Sequence, residues 1–457
     1  MRKQLANALI TMAVAVFAFA AVSPAQQFWR PPVPERIVLS NGLTLMLVEN
    51  HSLPVVAVKA MIKSGASSDP EELPGLANFT SALVSKGTKT RTAEQIARAF
   101  DLAGVSYENN CDYDSTSFSF TALSRDMEKL LPVLFDLLQN PAFDSLEVER
   151  LRVQLMTEVL ADQDSPRDIS RHAFDELLYH KHPYGHPLIG NETSLNKIAR
   201  SDIKKYHKNI YLPQNCVIIL TGDIKTRKAI SLVKKLAKNW PATKSPVLAY
   251  GPCPDIKEPS AVLVHRPISQ AYITMGFLGP KRNDPDYQAA RVMNYILGGG
   301  GFVSRIFTEI RVHQGLAYDV DSYFYSRLDC GPYVFTVQTK CVSADTAVKS
   351  ILAEIRRMQS EPVADQELEE AKAFFRGSYP FRYETDAQIA SQIAAGEIHG
   401  LGAGYAIKDL EQIQKVTKED VQRAAQKFLH PDNFVLAMAT DTSLTKLSLP
   451  GMAIEKK

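Results

Sequence analysis

Neither sign of charge dominates this 457-residue chain: 52 Lys and Arg stand against 50 Asp and Glu, a formal net charge of +2. No basic stripe interrupts that balance, which removes nucleic-acid binding from the candidate functions. Cysteine is scarce. Cys111, Cys216, Cys253, Cys330 and Cys341 are odd in number and show no C-x-x-C spacing, so no disulfide framework is written into the chain. Cys330 and Cys341 flank a short predicted strand and could pair, but mostly buried free thiols are the reading adopted. Beyond the N-terminus no run is long and apolar enough to cross a membrane. What is present is the balance of a folded protein, 45% apolar and 22% charged, at a length that suits two or three domains.

The N-terminus is a different kind of sequence. Arg2 and Lys3 give a short basic start, residues 4–28 carry no charge, and residues 10–22 are apolar apart from Thr11. That run is shorter than the roughly 20 residues that span a bilayer. Ser23-Pro24-Ala25 then places small residues where a signal peptidase reads them. The pattern predicts a secretory signal over residues 1–25, cleaved after Ala25, and therefore an exported, by default periplasmic, protein. Cleavage removes the two positive charges that make up the formal excess.

An internal repeat organises the rest. Residues 197–223 (KIARSDIKKYHKNIYLPQNCVIILTGD) align without a gap on residues 415–441 (KVTKEDVQRAAQKFLHPDNFVLAMATD), at an offset of 218 (415 against 197). Both read as a capped helix, a turn at Pro213 or Pro431, then a strand. So long a period indicates a duplicated domain of roughly 200 residues, not a solenoid. Pro241, Pro246, Gly251, Pro252, Pro254 and Pro259 fall between the copies and read as a linker. The expected organisation is a first domain over 33–240, a linker over 241–259 and a second domain over 260–445. Strand signals come early in the first half: Ser40-Asn41-Gly42 as a hairpin turn, residues 55–62, and the alternation of Phe118 and Phe120 in 116–123. That last strand reads equally well as an open edge for an extended peptide or as an interior strand. A capping box at Thr92 and helical patterns around 125–139, 144–161 and 167–178 follow. The fold class is α+β: two homologous domains, each an antiparallel-rich sheet covered by helices, mainly on one side.

Several motifs then resemble one family. Asn41-Gly42-Leu43, Gly75-Leu76-Ala77-Asn78-Phe79, Lys86-Gly87-Thr88, His182-Pro183-Tyr184-Gly185, Gly190 and Gly222-Asp223 are similar to the signatures of the pitrilysin/insulinase (inverzincin) zinc metallopeptidases, over about residues 33–445. The resemblance implies two-domain halves of a clam-like chamber and, in active members, an H-x-x-E-H helix. Two His one turn apart reach one Zn²⁺ and the Glu takes the proton of the attacking water. Here those positions hold Asn78, Ser81 and Ala82. Alanine has no donor atom, and Asn and Ser are poor zinc ligands beside imidazole. Glu158 matches the third ligand but stands as a remnant, and the acidic residue usual upstream of it is Leu151. The resemblance therefore implies no metal and no cofactor in this chain. His180, His182 and His186 cluster in HKHPYGHP, but Pro and Gly make this a turn rather than a rigid ligand face.

The second half keeps another signature. Ser304-Arg305-Ile306-Phe307, Glu309-Ile310-Arg311 and Gly315-Leu316-Ala317-Tyr318 resemble the family's later domain. The resemblance implies that Arg311 and Tyr318 are the pair that closes over a zinc site from the opposing domain and steadies the oxyanion. Gly298, Gly299, Gly300 and Gly301 lack a following Lys-Ser/Thr and are no phosphate loop. They are loosely similar to the glycine-rich loop of substrate-recognising subunits, and are expected to form a flexible turn facing the chamber.

The leading expectation is a non-catalytic subunit, inactive alone, that binds peptide or unfolded protein and lends Arg311 and Tyr318 to a homologous, zinc-bearing partner in a heterodimer. The alternative is a peptide-binding or scaffolding protein of the envelope without a peptidase partner. An enzyme with an unrecognised site ranks last, since no Ser-His or Cys-His arrangement stands out. The signal reading carries its own check: N-terminal sequencing of the exported protein should begin at Gln26, and a mature chain that begins at Met1 would contradict it.

Overall fold

The computed structural model describes residues 29–243 and 250–457. The expected signal, 1–25, lies outside the described residues, as do residues 244–249 of the expected linker. Twelve strands are present among the described residues: β1 Glu35–Val38, β2 Thr44–Glu49, β3 Val55–Ile62, β4 Glu108–Cys111, β5 Thr116–Leu123, β6 Cys216–Gly222, β7 Ser260–His265, β8 Gln270–Leu278, β9 Ala317–Phe324, β10 Pro332–Lys340, β11 Val435–Thr440 and β12 Ala453–Lys456. They make two six-stranded sheets, ordered β1-β2-β6-β3-β5-β4 and β12-β7-β11-β8-β10-β9.

The sequence repeat becomes a structural one at the centre of each sheet. β6 runs parallel to β2 and antiparallel to β3. β11 runs parallel to β7 and antiparallel to β8. Both central strands are buried along their whole length. That explains why each reads as a near-continuous apolar run instead of an alternation, since neither has a solvent face. The remaining pairings are antiparallel except β12 beside β7, so the sheets are mixed and antiparallel-rich. β5 lies between β3 and β4, so it is an interior strand and the edge belongs to β4.

One face of each sheet carries a helical core from its own half. Leu45, Phe118 and Ile218 pack with Phe79, Leu134 and Val233 in the first. Ile273, Phe335 and Leu436 pack with Val348, Ile351 and Val421 in the second. The other face is covered by exchange, and here the one-sided expectation fails. The helix Pro166–Tyr179 belongs to the first half but lays Phe174, Leu178 and Tyr179 on Val262, Val334, Val435 and Ala437 of the second sheet. The helix Asp386–Ile398 belongs to the second half but lays Ile389, Ala390, Ile393 and Ala394 on Met46, Met61, Val217 and Ile219 of the first. The repeat offset carries residues 166–179 onto 384–397, so these are equivalent helices, reciprocally exchanged. Side chains pin each one. Glu397 accepts from Arg36 on β1 (Nε 3.1 Å, Nη2 3.0 Å) and from Lys63 just past β3 (2.9 Å). Thr221 donates to the Asp386 carbonyl (2.6 Å), and Tyr179 donates to the Cys330 carbonyl (2.8 Å). Residues 33–457 accordingly form one compact unit.

The cysteines are free thiols, with Cys216, Cys330 and Cys341 buried. Cys330 and Cys341 sit beyond opposite ends of β10, a nine-residue strand. At about 3.3 Å per residue they are far too distant to pair.

The exchange predicts a single cooperative transition. Phe174→Ala and Ile393→Ala, each removing a buried anchor from one exchanged helix, should cost about 3–5 and 2–5 kcal/mol. In calorimetry both should lower the same melting endotherm, and two separate endotherms would contradict the interlock.

Candidate functional site

The helix Leu76–Val84 carries the positions where a zinc motif would lie. Its entry is fixed by close packing. Gly75 has φ +91°, and a Cβ there would stand 2.5 Å from the Ile189 carbonyl oxygen. The Asp69 carboxylate, its side chain wholly buried, accepts from the backbone N–H groups of Gly75 and Ala77, both at 2.7 Å. It thereby satisfies helix N-terminal donors that otherwise lack partners. Burial pushes the Asp69 carboxyl well up, against the lowering effect of these N–H groups. Leu76, Phe79 and Leu83 face the core, leaving Asn78 and Ala82 half-buried on one side and Ser81 fully buried between them.

The donor set there does not fit zinc. Ser81 Oγ donates to Asn109 Oδ1 on β4 at 2.5 Å, and Asn109 Nδ2 donates back to the Ser81 carbonyl at 2.7 Å. The position of the catalytic carboxylate is thus occupied by a neutral, locally satisfied pair. Glu158 lies exposed on the neighbouring helix Ser145–Asp164 and accepts from Gln154 at 2.9 Å, within its own helix. Leu151 is buried in the core. One outward carboxylate and no imidazole cannot make the three or four ligands that zinc needs.

The three His of residues 180–186 do not gather. His180 is exposed, at φ +49°. His186 points its Nε2 at the Ala66 carbonyl, 3.1 Å away. His182 is buried, and with Asp329 and Cys330 it brings three potential ligand atoms within 4.8 Å of one another. Its hydrogen bonds argue against a metal. Nδ1 accepts the Tyr184 N–H at 3.2 Å, so Nε2 carries the proton of the neutral ring and donates to Asp329 Oδ2 at 3.2 Å. Burial lowers the pKa of that ring, outweighing the pull of Asp329. The other Asp329 oxygen takes Lys281 at 2.9 Å. The group is a completed polar network and leaves no bare nitrogen for a cation.

Arg311 and Tyr318, by contrast, are brought together. Arg311 lies in a π-helical segment, Phe307–His313, and Tyr318 at the start of β9. The guanidinium stands 5.3 Å from the Tyr318 ring centroid and 4.9 and 5.9 Å from those of Phe307 and Phe302. Tyr318 is 73% exposed. Neighbouring charges are spent elsewhere. Arg305 holds Glu367 in a bidentate pair at 2.7 Å through each nitrogen. Glu309 takes His313 (3.0 Å) and Gln314 (2.7 Å). Among the described residues no carboxylate is paired with Arg311, so its donors are available. Phe302, Val303 and Val312 stand exposed around it.

The glycine run is not the flexible turn expected. Residues 295–299 continue the preceding helix as a π-type turn. A Cβ at Gly298 would meet Ser322 Oγ at 2.3 Å, at Gly299 Asn294 Nδ2 at 2.4 Å and at Gly300 the Tyr295 carbonyl at 2.6 Å. Gly298 packs closely on β9, and Gly299 and Gly300 pack closely on Asn294 and Tyr295 of the preceding turn. Only Gly301, at φ +60°, faces open space. Sequence reasoning missed Asp69, whose role depends on a fold-back within residues 69–77. It also missed Arg327, taken up below.

Comparison with known proteins finds relatives in family and in fold. Residues 44–192 match the family described as insulinase (peptidase family M16), and residues 197–375 match the peptidase M16 inactive domain. An uncharacterized zinc protease of Rickettsia bellii is 26% identical over 369 residues, covering 81% of this chain and 86% of that protein. The uncharacterized zinc protease YmxG of Bacillus subtilis is 25% identical over 409 residues, covering 88% and 97%. Among solved structures, the peptidase M16 inactive domain from Pseudomonas fluorescens superposes with a TM-score of 0.84 at 26% identity, covering 90% of this chain and 99% of that one. A protease from Helicobacter pylori shares the fold, with a TM-score of 0.84 at 20% identity, covering 89% and 99%. Two matched domains, the shared two-sheet fold and the signature glycines at their packing positions place this chain in the insulinase (M16) peptidase family, as a member whose zinc-binding positions hold Asn78, Ser81 and Ala82.

Proposed function

We propose that this chain is the non-catalytic subunit of a two-chain zinc metallopeptidase. It would form one half of a clam-like chamber and bind peptide or unfolded protein. It would lend Arg311 and Tyr318 to the active site of a homologous, zinc-bearing partner in the periplasm. The observation that carries this reading is the contrast between the two sites. At the metal positions Ser81 is satisfied by Asn109, Ala82 has no donor atom and no ligand set exists. At Arg311 and Tyr318 a half-buried cation lies beside an exposed phenol, with no acid among the described residues engaging them.

The chemistry expected of the pair follows from its groups. A guanidinium and a phenol hydroxyl are strong hydrogen-bond donors. Aimed at a carbonyl oxygen, they stabilise the negative charge that grows there as metal-activated water attacks. Their own chain cannot supply that water, because it lacks the zinc ligands. The apolar rim of Phe302, Val303 and Val312 suits burial against a partner surface. The π-type turns on either side, Tyr295–Gly299 and Phe307–His313, are also consistent with a functional region.

The test is a paired cleavage assay on a quenched peptide. This chain alone should be zinc-free and silent, and addition of a homologous chain with an intact H-x-x-E-H should give activity. Arg311→Ala or Tyr318→Phe in this chain should lower that activity on the order of 10²–10³-fold, the usual effect of deleting one oxyanion donor. Stoichiometric zinc and cleavage by this chain alone, or full activity of the mixture with both variants, would overturn the proposal.

A further inference from the structure

A second polar constellation lies away from Arg311 and Tyr318, in a cavity of about 390 Å³ on the exchanged-helix face of the second sheet. Its size is within the range of small-ligand sites, about 300–1,000 Å³. The walls come from both halves: the turn at Asp112–Ser115, the helix Pro166–Tyr179, the ends of β9 and β10, and His399. Thr274 also borders a smaller depression that continues along the same sheet face past Tyr272, Thr336 and Gln338. The two linings meet at Thr274.

Arg327 lines the larger of the two. Its guanidinium lies over the rings of Tyr113 (3.9 Å), Tyr184 (4.6 Å) and Tyr179 (5.3 Å). Among the described residues no carboxylate pairs with it, and its Nη1 is buried without a hydrogen-bond acceptor. The acid beside it is already taken. Asp114 accepts from Tyr184 Oη (2.6 Å), Tyr250 Oη (3.0 Å) and the Leu328 N–H (2.8 Å). Across the same cavity is Asp175, 8% exposed. Its nearest cation, Arg171 Nη1, is 4.0 Å away, beyond hydrogen-bond distance. Burial pushes the Asp175 carboxyl up to about 6, with Arg327 and Arg171 opposing. Buried charged groups are ordinarily paired or hydrogen-bonded. Here an arginine and a carboxyl face one cavity with neither satisfied.

We propose that this cavity binds the C-terminal end of a peptide, with the free carboxylate on Arg327 and the last backbone N–H donated to Asp175. A carboxylate is the planar acceptor that an arginine fork matches. The tyrosine rings hold that fork in place, so little side-chain freedom is lost on binding. Tyr323, Tyr325 and Phe174 supply an aromatic wall for the terminal side chain, and the shallower depression gives the preceding residues a path along the sheet.

This inference rests on the peptide-binding half of the function proposed above, and on neither a partner nor the Arg311–Tyr318 pair. Its test therefore uses this chain alone. N-terminally fluorescein-labelled Ala-Ala-Ala-Phe, as the free acid and as the C-terminal amide, would be titrated by fluorescence polarisation. The acid should bind tighter on the order of tenfold or more, as loss of a charge-assisted contact implies. Arg327→Met, which keeps the aliphatic bulk, should abolish the preference by weakening the acid far more than the amide. Should that variant fail to fold, hydrogen exchange on the wild-type chain substitutes: the acid peptide should protect residues 171–175 and 323–327 and leave 307–318 unchanged. Equal affinity for acid and amide, no binding of either, a preference that survives Arg327→Met, or protection confined to 307–318 would each overturn it. The paired cleavage assay would stand or fall separately.

Discussion

The reciprocal exchange of two equivalent helices is the constraint on which the rest of this molecule depends. Each sheet has one face that its own half does not cover, and an uncovered face with Val262, Val435 and Ala437, or Met46, Val217 and Ile219, could not stay in water. Fully burying a Phe, Leu or Ile side chain contributes about 1.5–3 kcal/mol each, so Phe174, Leu178, Ile389 and Ile393 make the exchange a principal source of stability. It also makes the geometry rigid. The Glu397 clamp to Arg36 and Lys63 ties one crossing, and Tyr179 ties the other. The walls of the Arg327 cavity come from both halves and are held in register by these same helices.

Within that frame the helix Leu76–Val84 has kept its place without a metal to hold it. Its stability comes from buried Leu76, Phe79 and Leu83, from the Asp69 carboxylate at its N-terminus and from the Ser81–Asn109 pair. A zinc site with one ligand removed would leave polar atoms stranded. Here Ser81 bonds to Asn109, Ala82 carries no polar atom and Asn78 is a neutral amide, so the position holds no charge. In the second half, Arg311 keeps a charge with no paired carboxylate among the described residues. The division between a settled scaffold site and an unsatisfied donor site is what a subunit specialised for lending residues would need.

Much of this was legible in the sequence, and what was not has physical reasons. The 197–223 and 415–441 repeat located β6 and β11, because a strand buried on both faces leaves a continuous apolar run. The loss of zinc ligands was legible because Asn78, Ser81 and Ala82 fall on one short helix at fixed spacing. The exchange was not, because the apolar stripes of Pro166–Tyr179 and Asp386–Ile398 say that each packs on a sheet, and not on which one. The run at 298–301 looked flexible because glycine signals both freedom and close approach, and only the neighbours Ser322, Asn294 and Tyr295 decide between them. Arg327 was invisible for the same reason: its ring partners, Tyr113, Tyr179 and Tyr184, lie some 140 to 210 positions away (327 against 184 and 113). An unpaired arginine looks no different in sequence from a paired one.

The most direct test of the central claim measures where Tyr318 sits in the proposed two-chain complex. A single 3-fluorotyrosine at position 318 would be followed by ¹⁹F NMR while a homologous zinc-bearing chain, its zinc replaced by paramagnetic Co²⁺, is added. The account predicts a strongly shifted and broadened resonance on complex formation, restored when diamagnetic Zn²⁺ replaces Co²⁺. A resonance indifferent to Co²⁺ in a complex that is otherwise formed and active would place Tyr318 away from the metal and contradict the shared active site.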